Sequence, residues 1–238
     1  MEPLTITYRF VFPDGNQAIF EVRIDPVTLE AVAEANAELP DWTRLEFSQC
    51  PHCPLTPESH PHCPLAASLS QVVARFESIL SYEDLTVEAI TEERTVSKCV
   101  SAQQGLSALM GLIMPTSGCP YTSFFKPMAR FHLPMASGQE TVYRAASMYL
   151  LSQYFAAQEG QQVDLGMQGL VQIYEDIQTL NRAMAERIRR AVSQDAAVNA
   201  IVVLDFFAQS LPLAIEDHLA ALRPLFKAYF DRPPTAAT

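Results

Sequence analysis

The sequence predicts an α+β fold: an N-terminal antiparallel sheet with one or two helices, packed on a C-terminal all-α helical bundle. Three observations predict it. Apolar and polar residues alternate in short runs confined to residues 1–100, the period of half-buried strands. From about Gln103 apolar residues recur at three-to-four spacing instead, the period of helices packed along one face. Glycine is scarce, at 8 of 238 residues, so a flexible linker between the two parts is not expected. The organisation is then an α+β region over 1–100, carrying a Cys-rich loop at 48–65. A helical bundle over 101–232 follows, and then a disordered tail over 233–238.

In order along the chain, "LTITYRFVF" and "QAIFEVRI" alternate, and "PDGN" joins them. Proline presets the turn and Gly15 tolerates positive φ, so this is a hairpin. "DPVTLEAVAEANA" permits a short helix with Asp25 as N-cap and Pro26 at its first position. "TRLEF" at 43–47 reads as a brief strand leading into the Cys-rich loop. "AASLSQVVARFESILSY" has Leu69, Val72, Val73, Phe76, Ile79 and Leu80 on one helical face. "LTVEAI" and "RTVSKCV" form a second hairpin around "TEE". "QQGLSALMGLIM" is a helix stopped at Pro115. "SGQETVYRAASMYLLSQYFAA" opens with a capping box of Ser137 and Glu140. A long helix follows, with Asp164 as cap and Ile173, Ile177, Leu180, Met184 and Ile188 on one face. The apolar run at 196–215 contains Asn199, Asp205, Gln209 and Pro212. It reads as a core helix broken near Pro212, not as a membrane span.

Charge restricts the partners. The chain carries a net charge of −11, with 16 acids and 6 bases in residues 1–100 and 11 acids and 10 bases in the remainder. An acidic front half repels phosphate backbones, so nucleic acid is not an expected partner. No membrane partner is expected either. A protein or small-molecule partner is compatible with this composition, and so is self-association into a homo-oligomer. The N-terminus lacks the basic and apolar regions of a signal peptide, which points to a reducing, cytoplasmic setting. Cysteines there serve as metal ligands or plain thiols before disulfides.

The informative stretch is "CPHCPLTPESHPHCPL" at 50–65. "PHCPL" occurs twice, ten residues apart, and four of the five cysteines precede proline: Cys50, Cys53, Cys63 and Cys119. Proline stiffens the turn after each thiol, which lowers the entropy lost when a metal gathers the sulfurs. Zinc takes four such ligands tetrahedrally. Cys50, Cys53 and Cys63 supply three. The fourth is Cys119, from "TSGCP" in the helical half, or His60 within the loop. With four thiolates an iron–sulfur cluster is the alternative cofactor. His52 and His62 sit inside the hooks and read as solvated or as supports to the ligands. "CPHC" also matches the redox frame of thioredoxin-like proteins, but Pro54 and "PLTPESHP" prevent the helix which that chemistry requires.

No acid occurs between Arg94 and Gln139. Thr116, Ser117 and Gly118, with Lys126, Arg130 and His132, could cradle an anion. Cys119 with His132, helped by Arg130, could form a thiol nucleophile and its base. The phenylalanines and methionines around them favour a packed segment over a catalytic one. Asp205, the lone charge in the most apolar helix, is expected to be buried against Arg130, Arg144 or Arg182.

The motifs "LEFSQCPHCPL", "HCPLA", "LMGLIMPTSGCP", "KPMARFHLP" and "YRAASMYLLSQYF" resemble an uncharacterised family of bacterial proteins over most of the chain. That resemblance implies a bacterial protein but no substrate or mechanism. It favours Cys119 over His60, because "TSGCP" belongs to it. The expected function is therefore a metal-binding protein with a structural zinc site and a binding or scaffold role. The alternatives are an iron–sulfur redox protein and a Cys119/His132 enzyme.

Overall fold

The computed structural model describes residues 2–32, 38–76, 79–192, 195–213 and 215–231. The tail at 233–238 and part of the segment expected to be helical after Asp25 lie outside the described residues. Four strands form one antiparallel sheet in the order β2-β1-β3-β4. They are β1 (Leu4–Val11), β2 (Gln17–Ile24), β3 (Asp84–Ile90) and β4 (Thr95–Ser101). Two hairpins supply them, as the alternation predicts. In the first turn the Gly15 amide donates to the Phe12 carbonyl at 2.9 Å, and Gly15 takes φ 84°.

One face of the sheet is apolar: Ile6, Tyr8 and Phe10 of β1, Val22 and Ile24 of β2, and Leu85, Val87 and Ala89 of β3. It is covered by α1 (Pro64–Arg75) and α2 (Ala102–Thr116). The Phe76 ring, just after α1, lies 5.0 Å from that of Phe10. α2 approaches the sheet at Gly105, where an added Cβ would sit 2.6 Å from a Val87 methyl and 3.1 Å from the Phe10 ring. Gly105→Ala is therefore expected to cost about 1–3 kcal/mol by overpacking, in spite of alanine's better helix propensity. A denaturant midpoint equal to that of the parent protein would contradict this close approach.

Behind α2 come α3 (Lys126–Arg130), α4 (Gly138–Gln158), α5 (Gln168–Arg189), α6 (Ala196–Leu213), α7 (Ile215–Leu222) and α8 (Lys227–Phe230). Among the described residues no strand follows Ser101. The larger core runs from the sheet through α1 and α2 to Leu180, Met184 and Ile188 of α5 and Ala200 and Ile201 of α6. A smaller core joins α4, α5 and α7 around Ala145, Leu170 and Ile177. α4 begins with the expected capping box, the Glu140 amide donating to the Ser137 hydroxyl. No helix among the described residues is long and apolar enough to cross a membrane.

Four local expectations are corrected. Asp25 does not open a helix over its described part: it accepts the amides of Val27 at 2.8 Å and Thr28 at 2.7 Å, and Leu29 then turns to φ 55°. Residues 43–47 form no strand but two short 3-10 turns, with an isolated bridge from Arg44 to His62. α2 runs through Pro115 to Thr116, because one lost N–H bond in the last turn does not break an otherwise buried helix. Asp164 is not the N-cap residue of α5, which is Met167. Its carboxylate nevertheless takes up a free helix-start amide, that of Gly169, at 2.7 Å.

Candidate metal centre

The loop at 48–65 is held by few apolar contacts: no residue from Ser48 to Pro64 is fully buried. Its path is set by hydrogen bonds. The Cys53 amide donates to the Cys50 carbonyl at 3.0 Å, which closes the first hook. Cys63 donates to the Thr43 carbonyl at 2.8 Å and stands immediately before Pro64, at the N-terminus of α1. Cys119 follows α2 and is reached through Gly118, whose φ of 83° turns the chain back towards Pro64. The Tyr121 hydroxyl donates to the His52 carbonyl at 2.8 Å, and the two rings meet edge-on at 4.0 Å. Two stretches about seventy residues apart in sequence are thereby tied together.

The consequence is a convergence of thiols. Cys50, Cys53, Cys63 and Cys119 line one cavity of about 20 Å³, walled also by Tyr121 and Arg187. All are free thiols. Burial pushes the Cys50 thiol up to about 12, reinforced by Cys63, Cys119 and Cys53 and opposed by Arg187. Burial also raises Cys119, and hydrogen bonding from the backbone of Tyr121 and Thr122 only partly opposes it. Among the described residues no three His, Cys, Asp or Glu side chains already form a cage for an ion. The sulfurs border a common space and would have to close on it.

Arg187 was not singled out from the sequence. It is 1 % exposed and donates to four carbonyls: Trp42 at 2.5 Å, Arg44 at 2.6 Å, Leu45 at 3.0 Å and Ser48 at 2.9 Å. Its guanidinium also lies over the Phe47 ring. Among the described residues no carboxylate pairs with it. The cysteines are the acidic groups that favour its charge. Its position was legible after all: seven residues beyond Leu180 and three beyond Met184, it falls on the buried face of α5.

The other candidates are dispersed. His60 is exposed and contacts Ser59 at 3.0 Å, away from the thiol cavity. His62 bonds Thr43 at 2.7 Å. His52 is not solvated: both ring nitrogens are shielded and lack hydrogen-bond partners. The structure does not join Cys119 to His132, which line different cavities. His132 Nε2 instead shares a hydrogen bond with the Tyr8 hydroxyl at 2.5 Å, and Arg130 is exposed over Phe131. The anion cradle does not form either. Thr116 and Ser117 turn their hydroxyls to carbonyls of α2, and Lys126 pairs with Glu30 at 3.1 Å. Asp205 has no arginine among the described residues. It accepts from Asn181 at 3.4 Å and Gln209 at 2.5 Å and is only partly buried, so amides replace the expected ion pair.

His132 makes stability depend on pH. Burial, aided by the nearby Arg144 charge, lowers its pKa to about 3. The unfolded chain takes up a proton near pH 6.5 that the folded chain refuses, so the contribution is complete above pH 6.5. It is lost as pH falls towards 3, by at most about 1.4 kcal/mol per pH unit. Urea midpoints measured from pH 7 to 4 should fall, and His132→Gln should flatten the decline. An unchanged slope in that variant would assign the decline to other groups.

No curated protein and no solved structure matches the chain. A family model described as "Domain of unknown function (DUF6901)" matches residues 6–227, so the chain belongs to that family.

Proposed function

We propose that this is a metal-binding protein in which Cys50, Cys53, Cys63 and Cys119 hold one structural zinc ion, and that its role is binding rather than catalysis. The convergence of four thiols from three chain segments on one small cavity carries this reading. The space accommodates about one water-sized sphere, which suits a single ion better than an iron–sulfur cluster. Zinc with four thiolates carries a net charge of −2, and Arg187 offers a buried positive charge beside it. Zinc would supply rigid tetrahedral ligation and no redox chemistry. Free thiols fit a reducing bacterial cytoplasm.

Elemental analysis and an absorption spectrum of tag-free protein test this reading. One zinc per colourless chain is expected. Cys50→Ser, Cys63→Ser and Cys119→Ser should each lose it, and His60→Ala should keep it. Brown protein with iron and sulfide would establish the cluster instead. Metal-free protein of full stability would end both ideas.

A further inference from the structure

A second cavity, of about 530 Å³, lies between β4, α2, α4, α5 and the segment at 132–138. That volume suits a small organic molecule. Much of the wall is apolar, with Met114, Phe125, Met128, Leu133, Ile177 and Leu204. No aspartate or glutamate lines it, whereas Lys98 and Arg144 do. Lys98 is exposed and Arg144 is half-buried.

Two polar groups on this wall are incompletely satisfied. Arg144 donates through one guanidinium nitrogen to the carbonyls of Met128 at 2.8 Å and Phe131 at 2.9 Å. It forms no ion pair among the described residues. Glu140, one turn earlier, is engaged by the Ser137 amide at 2.7 Å and hydroxyl at 2.8 Å. Asn181 is 1 % exposed, and its Oδ1 has no hydrogen-bond partner. A buried acceptor left without a donor costs about 1–3 kcal/mol, so a donor brought by a ligand would relieve a standing penalty. Met135, also on the wall, holds φ 53°. A non-glycine residue keeps that conformation only where its surroundings impose it.

We propose that this cavity binds an organic carboxylate with an apolar body and a hydrogen-bond donor at its far end. The carboxylate pairs with Arg144, and Lys98 adds attraction. The body lies on the methionine, leucine and phenylalanine wall, and the donor reaches Asn181 Oδ1. A single half-buried guanidinium suits a monoanion; a phosphate dianion would need further cations or amides. This inference gives the binding role a ligand class and does not depend on the metal.

Calorimetric titration of the full chain with 12-hydroxydodecanoate, dodecanoate and dodecanol, below their micelle-forming concentrations, tests it. Metal content is measured on the same sample, so that a failed metal site and a failed pocket are told apart. One 12-hydroxydodecanoate per chain is expected, at least tenfold tighter than dodecanol and severalfold tighter than dodecanoate. Arg144→Met should remove the preference for the carboxylate. Because Arg144 also supports two carbonyls, Gly111→Leu provides an independent variant. A Cβ added there meets only Leu204, at 3.8 Å, so the helix tolerates it while the side chain fills the cavity. That variant should lose binding and keep its melting temperature. Equal affinity for dodecanol, binding that survives Gly111→Leu, or no binding of any of the three compounds would overturn the proposal.

Discussion

If Cys50, Cys53, Cys63 and Cys119 hold a metal as proposed, stripping it from the purified protein is expected to lower the melting temperature by roughly 6–20 °C. That corresponds to about 3–5 kcal/mol at about 2–4 °C per kcal/mol for a chain of this size. The loop at 48–65 has little else to hold it, since none of its residues before Leu65 is fully buried. Ligation of a structural metal contributes directly to folding. Without metal the thiols return to their protonated state, favoured by burial at Cys50 and Cys119. Arg187 then loses the negative charge beside it. Rebinding should release protons and weaken as pH falls, because metal and protons compete for the same sulfurs. A scanning calorimetry trace unchanged by complete chelation would refute a structural role, whatever the metal content.

Arg187→Met should be the most damaging single substitution outside the cysteines, at roughly 3–5 kcal/mol. Four carbonyls, of Trp42, Arg44, Leu45 and Ser48, lose their donor together. Each buried acceptor left unpaired costs about 1–3 kcal/mol, less where water can enter. The segment they belong to leads straight into the first hook, so metal affinity should fall with stability. Arg187→Lys keeps the charge but not the fork, and should recover part of the stability. A loss below about 1 kcal/mol in the methionine variant would mean that water replaces the guanidinium at little cost.

The sheet and helices were legible in the sequence because period two and period 3.6 are local signals. β1 and β2 alternate around a Gly15 turn, and Ser137 with Glu140 marks the start of α4 within four residues. The repeat at 50–65 and the proline after Cys119 identified the thiols by their chemistry. Local signals failed where a neighbouring segment decided the outcome. Asp25 can cap a helix or close a turn, and its side chain took the turn. Residues 43–47 look like a strand but pair only through the single Arg44–His62 bridge, and Arg187 takes the carbonyls of Arg44 and Leu45. Asp205 found amides at Asn181 and Gln209 rather than an arginine, because helix packing and not composition selects its neighbours.

By itself, then, the sequence determined the two hairpins, the run of helices after them and the four thiols following one Cys-Pro pattern. Only the tertiary structure decided that Cys119 faces the loop cysteines while His60 faces solvent, that His132 turns to Tyr8, and that an acid-free cavity forms around Arg144. The physical reason is range. Backbone periodicity and turn chemistry act over a few residues. A shared cavity depends on the packing of α2, α5 and the loop, and Ser48 of the loop meets Arg187 of α5 across 139 positions of sequence.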